Sequence, residues 1–471
     1  MDSPARQKRM VSAGQLLQHG WQVHQKKRYA EAEQCYRRAL HEEQRNPNAW
    51  VYLGMVLHDQ RRYADAVDAY RQALQLMPDF PIALNNLGNS LRYLGAVEEA
   101  DACFQRAIDL QPDYLNAYKN RGTLHVWTGR LDLGLHYYQQ ALKVNPQEAE
   151  LHRNLGVIYL LQGDFQRGWE EYRWRWRVGD LHRPTDRIPI WQGQPLDGCR
   201  ILLSAEQGLG DTLHFVRYAQ ILRERGAIPT VYCQSALMAL LQHSPALGNI
   251  VPNTLGLEGN YDYQCSLIDV ADMLHTDLSN IPAPERYLHP APNLVQYWRN
   301  RLPQHPDKIR IGIAWQGNPD HQADAFRSAP LQCFERIAEV ETVELVSLQR
   351  GFGTEQLARW QGRVPIIQLP PEVDTTSGAF MDTAAIMMQL DLVITTDTSI
   401  AHLAGALGVP TWIALGYIPD WRWLLDRSDS PWYPSVRLFR QPELNRWDVV
   451  FDAMRDALRE YRPPFSQRMA K

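Results

Sequence analysis

The sequence predicts two architectures joined end to end. A helical solenoid comes first, followed by two α/β units built on parallel sheets. Three observations carry this reading. Glycines recur 34 residues apart through the first third of the chain, short apolar runs alternate with amphipathic stretches beyond residue 199, and a proline-rich break at 280–306 divides that alternation in two. At 471 residues the chain has room for about three domains.

The repeat is legible in several series at once. Gly20, Gly54, Gly88, Gly122 and Gly156 are in step with Ala39, Ala73, Ala107 and Ala141, and with Tyr36, Tyr70, Phe104, Tyr138 and Tyr172. Pro78, Pro112 and Pro146 close three of the units. Small residues where two helices touch, with an aromatic filling the next hole, describe an antiparallel helix pair. Such a pair cannot bury its face alone and must stack on its neighbours. Residues 13–180, as in "NAWVYLGMVLHDQRRYADAVDAYRQALQLMP", resemble tetratricopeptide repeats. The resemblance implies a protein-binding array with a concave groove. Asn86, Asn120 and Asn154 are also 34 apart, at a position that in such stacks faces the groove. A ladder of amides there can pair with the backbone of an extended polypeptide. Asparagine is equally a common consensus residue at that position, and Gln18 and Tyr52 replace it in the first two units. The stretch "WEEYRWRWR", 169–177, reads either as a seal between the solenoid and the next domain or as a basic, aromatic nucleic-acid platform.

A linker over 181–198 precedes the change of period. The runs "ILLS", "TVYC" and "YDYQCSL" fall in a first α/β domain, 199–290. The runs "IRIGIAW", "VELVSL", "PIIQL", "LVITTD" and "PTWIAL" fall in a second, 305–462. Helices are expected between them, one near 331–340, and a last helix at about 445–461 has no assigned packing partner. Alternation of this length implies parallel sheets covered on both faces, with ligands at the carboxyl ends of the strands.

Three motifs fall at such ends. "AEQGLGD", 205–211, places Gly208 and Gly210 in a turn but has Leu213 where a dinucleotide fingerprint needs its third glycine, and no GK[ST] follows. Asp211 there is either a helix cap, stabilising by about 1 kcal/mol, or a functional carboxylate. "ITTDTSIAHLAGALGVP", 394–410, takes a strand into a helix whose free amides and dipole suit a diphosphate, and Asp397 or Thr398 would serve equally as a cap. His402 is one turn in, as ligand contact or core histidine. "AWQGNPDHQADAFRSAPL", 314–331, carries Gln316 and Arg327, the latter suited to phosphate or to a surface ion pair.

Together "LGDTLH" and "DTSIAHLAGALGVP" resemble the heptosyltransferase-like family of inverting GT-B glycosyltransferases. The resemblance implies two Rossmann-like domains, Asp211 as general base, and a nucleotide-sugar donor bound by Gly208, Gly210, Gln316, Arg327, Asp397, Thr398, Ser399 and His402. It implies no cofactor and no metal, in keeping with the lack of a DxD motif in the donor region. A repeat array joined to such a catalytic half is similar in plan to protein O-glycosyltransferases, including bacterial flagellin-modifying enzymes. That plan implies a polypeptide acceptor held by Asn86, Asn120 and Asn154. Two alternatives remain, a glycan or lipid-linked acceptor and a non-catalytic scaffold. The segment "GYIPDWRWLLDRSDSPWYPSVRLFRQ", 416–441, is either a wall of the sugar pocket or core packing.

Bulk properties narrow the rest. A net charge of −4 gives no argument for nucleic acid or an anionic membrane. The first 20 residues hold no apolar core of signal-peptide length, and no uncharged run reaches a membrane span. Six scattered cysteines suggest reduced thiols in a cytoplasmic protein. Self-association through the repeats stays open.

Overall fold

The computed structural model describes residues 12–179, 181–303, 305–321 and 323–463. Most of the stretch read for a leader therefore lies outside the described residues. Contacts divide the chain into two units, the first running to Leu151 and the second starting at His152.

The first unit is built of helix pairs: α1 (Ala13–Gln25) with α2 (Tyr29–Glu42), α3 (Pro47–Asp59) with α4 (Tyr63–Leu76), α5 (Pro81–Tyr93) with α6 (Val97–Leu110), and α7 (Leu115–Trp127) with α8 (Leu131–Val144). The Ser12 hydroxyl accepts the Gln15 N–H at 3.3 Å and Gln15 Oε1 accepts the Ser12 N–H at 3.1 Å, a reciprocal cap that starts α1. Proline opens α3 and α5, where its missing N–H costs nothing. The glycine and aromatic series turn out to be one contact. A Cβ on Gly54 would lie 2.5 Å from the Tyr70 ring, and one on Gly88 would lie 2.8 Å from Phe104. We expect Gly54→Ala to cost about 1–3 kcal/mol through overpacking, read as a lower urea midpoint for the first unit. A shift below a few tenths of a kcal/mol would mean that the ring moves aside freely. Successive first helices touch, α1 with α3, α3 with α5 and α5 with α7, and so form a continuous layer.

The second unit opens with α9 (Ala149–Leu161), which begins just before the division, and α10 (Phe165–Tyr172), followed by a 3-10 turn, Arg173–Arg177. Two parallel sheets follow. β1 (Arg200–Ser204), β2 (Ile228–Cys233), β3 (Asn249–Pro252) and β4 (Tyr263–Ser266) lie in the order β3-β2-β1-β4. β5 (Ile309–Ala314), β6 (Val343–Ser347), β7 (Ile366–Ile367), β8 (Leu392–Thr396), β9 (Thr411–Leu415) and β10 (Val436–Arg440) lie in the order β10-β9-β8-β5-β6-β7. Every pairing between these strands is parallel. In each sheet the order reverses beside the first strand, at β1/β4 and at β5/β8, which is where a doubly wound sheet leaves a crevice.

Several local expectations are corrected. β3 and β10 went unread because "NIVP" is short and ends in proline, while "VRLFR" alternates charge with apolar residues. The helix expected near 331–340 is a 3-10 run, Leu331–Glu339, and Thr354–Arg359 is another. The last helix, Trp447–Glu460, packs on the second sheet: Trp447, Val450, Phe451, Met454 and Leu458 form one buried stripe against Phe334 and its neighbours. "WEEYRWRWR" is a seal and not a stacking platform. Trp169 Nε1 donates to Thr276 O at 2.8 Å, Trp176 Nε1 to Asp269 at 2.9 Å, and Arg173 pairs with Asp272. Among the described residues no helix is long and apolar enough to cross a membrane.

Candidate functional site

All three motifs sit beyond the carboxyl ends of strands that border a switch point. Gly208 to Asp211 follow β1, Gln316 to Arg327 follow β5, and Asp397 to His402 follow β8. A fourth segment, unassigned to any residue role from sequence, follows β9 and brings Asp420 and Arg422 to the same place.

Asp211 lies in the first turn of the helix Leu209–Phe215 and does two things. Its Oδ2 accepts the Gly208 N–H at 3.0 Å, as a capping carboxylate would. Its Oδ1 accepts from Arg422 Nη2, and its side chain keeps 23% exposure. The carboxylate thus faces the segment from the second sheet and retains an open edge. Arg422 also donates to Asp420 Oδ1 at 2.8 Å and lies over the Phe215 and Trp421 rings, at 5.0 and 4.7 Å. Burial opposes its charge, yet Asp420 and Asp211 outweigh that and hold the guanidinium more firmly protonated than usual. Its Nε is buried without a partner.

On the second sheet, burial and then the Asp420 carboxylate push the Asp397 pKa up to about 6. The helix Ser399–Ala406 starts at Thr398 with no side-chain cap from that residue; the Ala401 N–H donates to the Thr398 carbonyl at 3.0 Å, and the positive end of the helix dipole lies here. The Thr398 hydroxyl instead lies 3.4 Å from that of Thr395. Arg327 Nε is 3.5 Å from Asp324 Oδ1, and its charge reaches Asp397 and His402. Gln316 is committed elsewhere, its Oε1 accepting from Gln356 Nε2 at 3.0 Å.

The two motif helices meet directly. A Cβ on Gly210 would lie 3.1 Å from His402 Cδ2 and 3.5 Å from Ser399 Cα. Gly210, expected to touch a donor, is a packing glycine that lets the helices approach; Gly208, with only Asp211 near its Cβ position, has open space. Tyr433 bridges the contact: its hydroxyl is 2.9 Å from His214 Nδ1 and 3.0 Å from His402 Nδ1. The hydroxyl has a single proton, so it donates to one ring and accepts from the other. His402 also stacks on Trp423, with centroids 5.3 Å apart.

Burial first and cations second keep both histidines neutral, with His402 lowered to about 3. Their folded pKa values lie below the unfolded value, so the stability they carry is present above about pH 6.5 and withdrawn as pH falls. Asp397, raised, works in the opposite direction. At pH 5 His402 is expected to withdraw about 2 kcal/mol, His214 to act in the same direction, and Asp397 to return about 1 kcal/mol. Urea midpoints for the second unit at pH 7 and pH 5 measure the difference, and equal midpoints would contradict neutral burial of the pair.

The asparagine series is more internally bonded than expected. In the first unit Asn120 Nδ2 donates to Asn85 Oδ1 at 2.9 Å, and Asn85 Nδ2 to Asn86 Oδ1 at 3.3 Å. In the second unit Asn154 Oδ1 accepts from Arg153 at 3.0 Å. Asn85, unread from sequence, is the link between Asn86 and Asn120. Asp420, Arg422 and Tyr433 were also missed as individuals. The only signal was the unusual Trp and Arg content of 416–441, because the partner of Arg422 is 211 positions away. Among the described residues no three His, Cys, Asp or Glu side chains converge as a metal site.

Comparison with known proteins fits this division. Residues 25–81 and 119–173, and in between 81–114, match tetratricopeptide repeat families. The first third of the chain is a tetratricopeptide-repeat region. Protein FlbA of Caulobacter vibrioides is 26% identical over 313 residues, which cover 62% of this chain and 52% of that protein. The chain thus spans about half the length of the curated relative it matches. Two solved structures are similar to part of this chain. One, from Thermus thermophilus, is 20% identical with a TM-score of 0.33, over 37% of this chain and 93% of that one. A MamA fragment from Desulfovibrio magneticus is also 20% identical, with a TM-score of 0.32, over 36% and 97% of the two chains.

Proposed function

We propose that the chain is a metal-independent inverting glycosyltransferase that moves a sugar from a nucleotide-sugar donor to a protein hydroxyl, with the tetratricopeptide repeats holding the polypeptide acceptor. The observation that carries this is the convergence at two switch points of a half-open carboxylate from one sheet with cations and uncapped amides from the other. Asp211 takes the proton of the acceptor hydroxyl as its oxygen attacks the anomeric carbon. The bond to the diphosphate breaks, and the departing charge is met by Arg327, Arg422 and the amides that open the helix Ser399–Ala406. Arg422 must leave Asp211 for the carboxylate to act as a base. A diphosphate competing for the guanidinium supplies that exchange.

One feature favours a non-catalytic reading. The Asp211–Arg422 pair and the contact of Gly210 with the first turn of the opposite helix hold the two motifs together. Calorimetric titration of the full chain with uridine, guanosine, cytidine and adenosine nucleotide sugars separates the two. Binding of one donor, followed by a matching mass increase on a polypeptide, supports transfer. Binding of none favours the scaffold.

A further inference from the structure

Three side chains from separate parts of the second unit meet at one hydroxyl. His214 lies in the helix Leu209–Phe215, His402 in the helix Ser399–Ala406, and Tyr433 in the loop before β10. The Tyr433 hydroxyl is 2.9 Å from His214 Nδ1 and 3.0 Å from His402 Nδ1. Its ring is fixed in place: a Cβ on Gly405 would lie 2.5 Å from Tyr433 Cδ1, and the Arg217 guanidinium lies 4.4 Å from the ring centre. The nearby Tyr287 hydroxyl is already committed, giving its proton to Leu213 O at 2.7 Å and accepting from Arg217 Nη2 at 3.0 Å. The Tyr433 proton therefore goes to one histidine, and the other histidine gives its own proton to the Tyr433 oxygen.

The far nitrogens of the two rings decide which. His214 Nε2 is buried without a partner, and the His214 ring lies 4.6 Å from the Phe215 ring and 4.6 Å from that of Trp432. His402 is 6% exposed and its Nε2 is not sealed in this way; the adjoining Cδ2 faces Gly210 of the opposite helix. A buried N–H without an acceptor is rarely tolerated. The guanidiniums of Arg217 and Arg422, which act on His214, also favour a bare nitrogen over an N–H at its sealed end. The His214 proton therefore belongs on Nδ1, the Tyr433 proton points to His402 Nδ1, and His402 keeps its own proton on Nε2.

We propose that Tyr433 is a positioning residue of the donor site, locking His402 in the form that presents Nε2–H to an oxyanion of the nucleotide-sugar diphosphate. Burial and the surrounding cations keep the His402 ring neutral. An imidazolium would add a fourth cation to Arg217, Arg327 and Arg422, with Asp420 alone set against them. A neutral ring instead recognises the oxygen by the direction of one N–H. This rests on the donor-binding half of the proposed function and does not involve the repeats.

The test uses the full chain carrying isotope-labelled histidine, with ring nitrogens read by NMR at neutral pH. The two signals are identified by their loss in His214→Gln and His402→Gln. The wild type is expected to hold the proton on Nδ1 of His214, the form that free histidine disfavours, and on Nε2 of His402. Tyr433→Phe keeps the ring that packs on Gly405 and removes only the hydroxyl. In that variant His214 has lost its acceptor and is expected to leave the Nδ1–H form. Calorimetry with uridine, guanosine, cytidine and adenosine diphosphates should show the variant binding about tenfold more weakly than wild type, the worth of one charge-assisted hydrogen bond. His402 found protonated on Nδ1 overturns the proposal from the wild-type spectrum alone. So does a His214 Nδ1–H that persists in Tyr433→Phe, or an affinity that the variant leaves unchanged. Binding of no nucleoside diphosphate by the wild type would bring down the glycosyltransferase reading together with the oxyanion proposed here. The wrong tautomer with binding intact brings down this inference alone.

Discussion

Asp211→Asn is expected to lower glycosyl transfer by about 10²–10⁴-fold, the usual worth of a positioned general base. The substitution keeps shape and an acceptor oxygen but cannot take a proton. The second bond of Arg422, to Asp420, stays in place, so the guanidinium is not left bare. Folding and donor binding should both survive, the first checked by thermal unfolding and the second by calorimetry. The wild-type protein must first show donor binding. Transfer by the variant at the wild-type rate would remove Asp211 as the base and leave it a cap that holds Arg422.

The largest effect on stability is expected from Arg175→Met. The Arg175 guanidinium donates to Glu206 at 2.7 and 2.9 Å and to Asp269 at 2.6 Å, with side-chain exposures of 3% for Arg175, 3% for Glu206 and 14% for Asp269. Removing the shared cation leaves two carboxylates facing each other out of water, a loss of about 3–5 kcal/mol. The urea transition of the second unit should move accordingly, and Glu206→Gln in the same chain should recover part of it. Glu206 lies two residues before Gly208, so the single variant should also disturb the turn that carries Asp211. A single variant within about 1 kcal/mol of wild type would mean that packing, not this network, holds the segment.

How much was legible varies with the range of the interaction. The 34-residue series is local and periodic, so glycine, alanine and aromatic positions named the helix pairs by themselves. What the periodicity did not carry was polarity within a shared face. Asn86 and Asn120 stood out as a series, but Asn85, which bonds to both, and Arg92, buried with Nε and Nη1 unpartnered, belong to no 34-residue repeat of one residue type. In the α/β half, apolar strands buried on both faces were read at once. Of the four edge strands β4 and β7 were read, while β3 and β10 were not, because the first is short and ends in proline and the second alternates charged with apolar residues.

At the site the division is sharper. Glycine-rich turns and a strand-to-helix passage put Asp211, Asp397 and His402 at strand ends, and that followed from the order of residues alone. Whether Gly210 lines a ligand or admits a neighbouring helix depends on what lies opposite, and His402 lies opposite.

The sequence by itself determined the repeat, the parallel sheets and the placing of three motifs at the carboxyl ends of strands, since each follows from spacing along a single stretch of chain; that those strands border switch points came from the strand order. Only the tertiary structure decided that Arg422 meets Asp211, that Tyr433 joins His214 to His402, and that Arg92 has no counter-ion among the described residues. Charges and hydroxyls act through space over a few ångströms, and the chain brings such partners together from positions that share no local pattern.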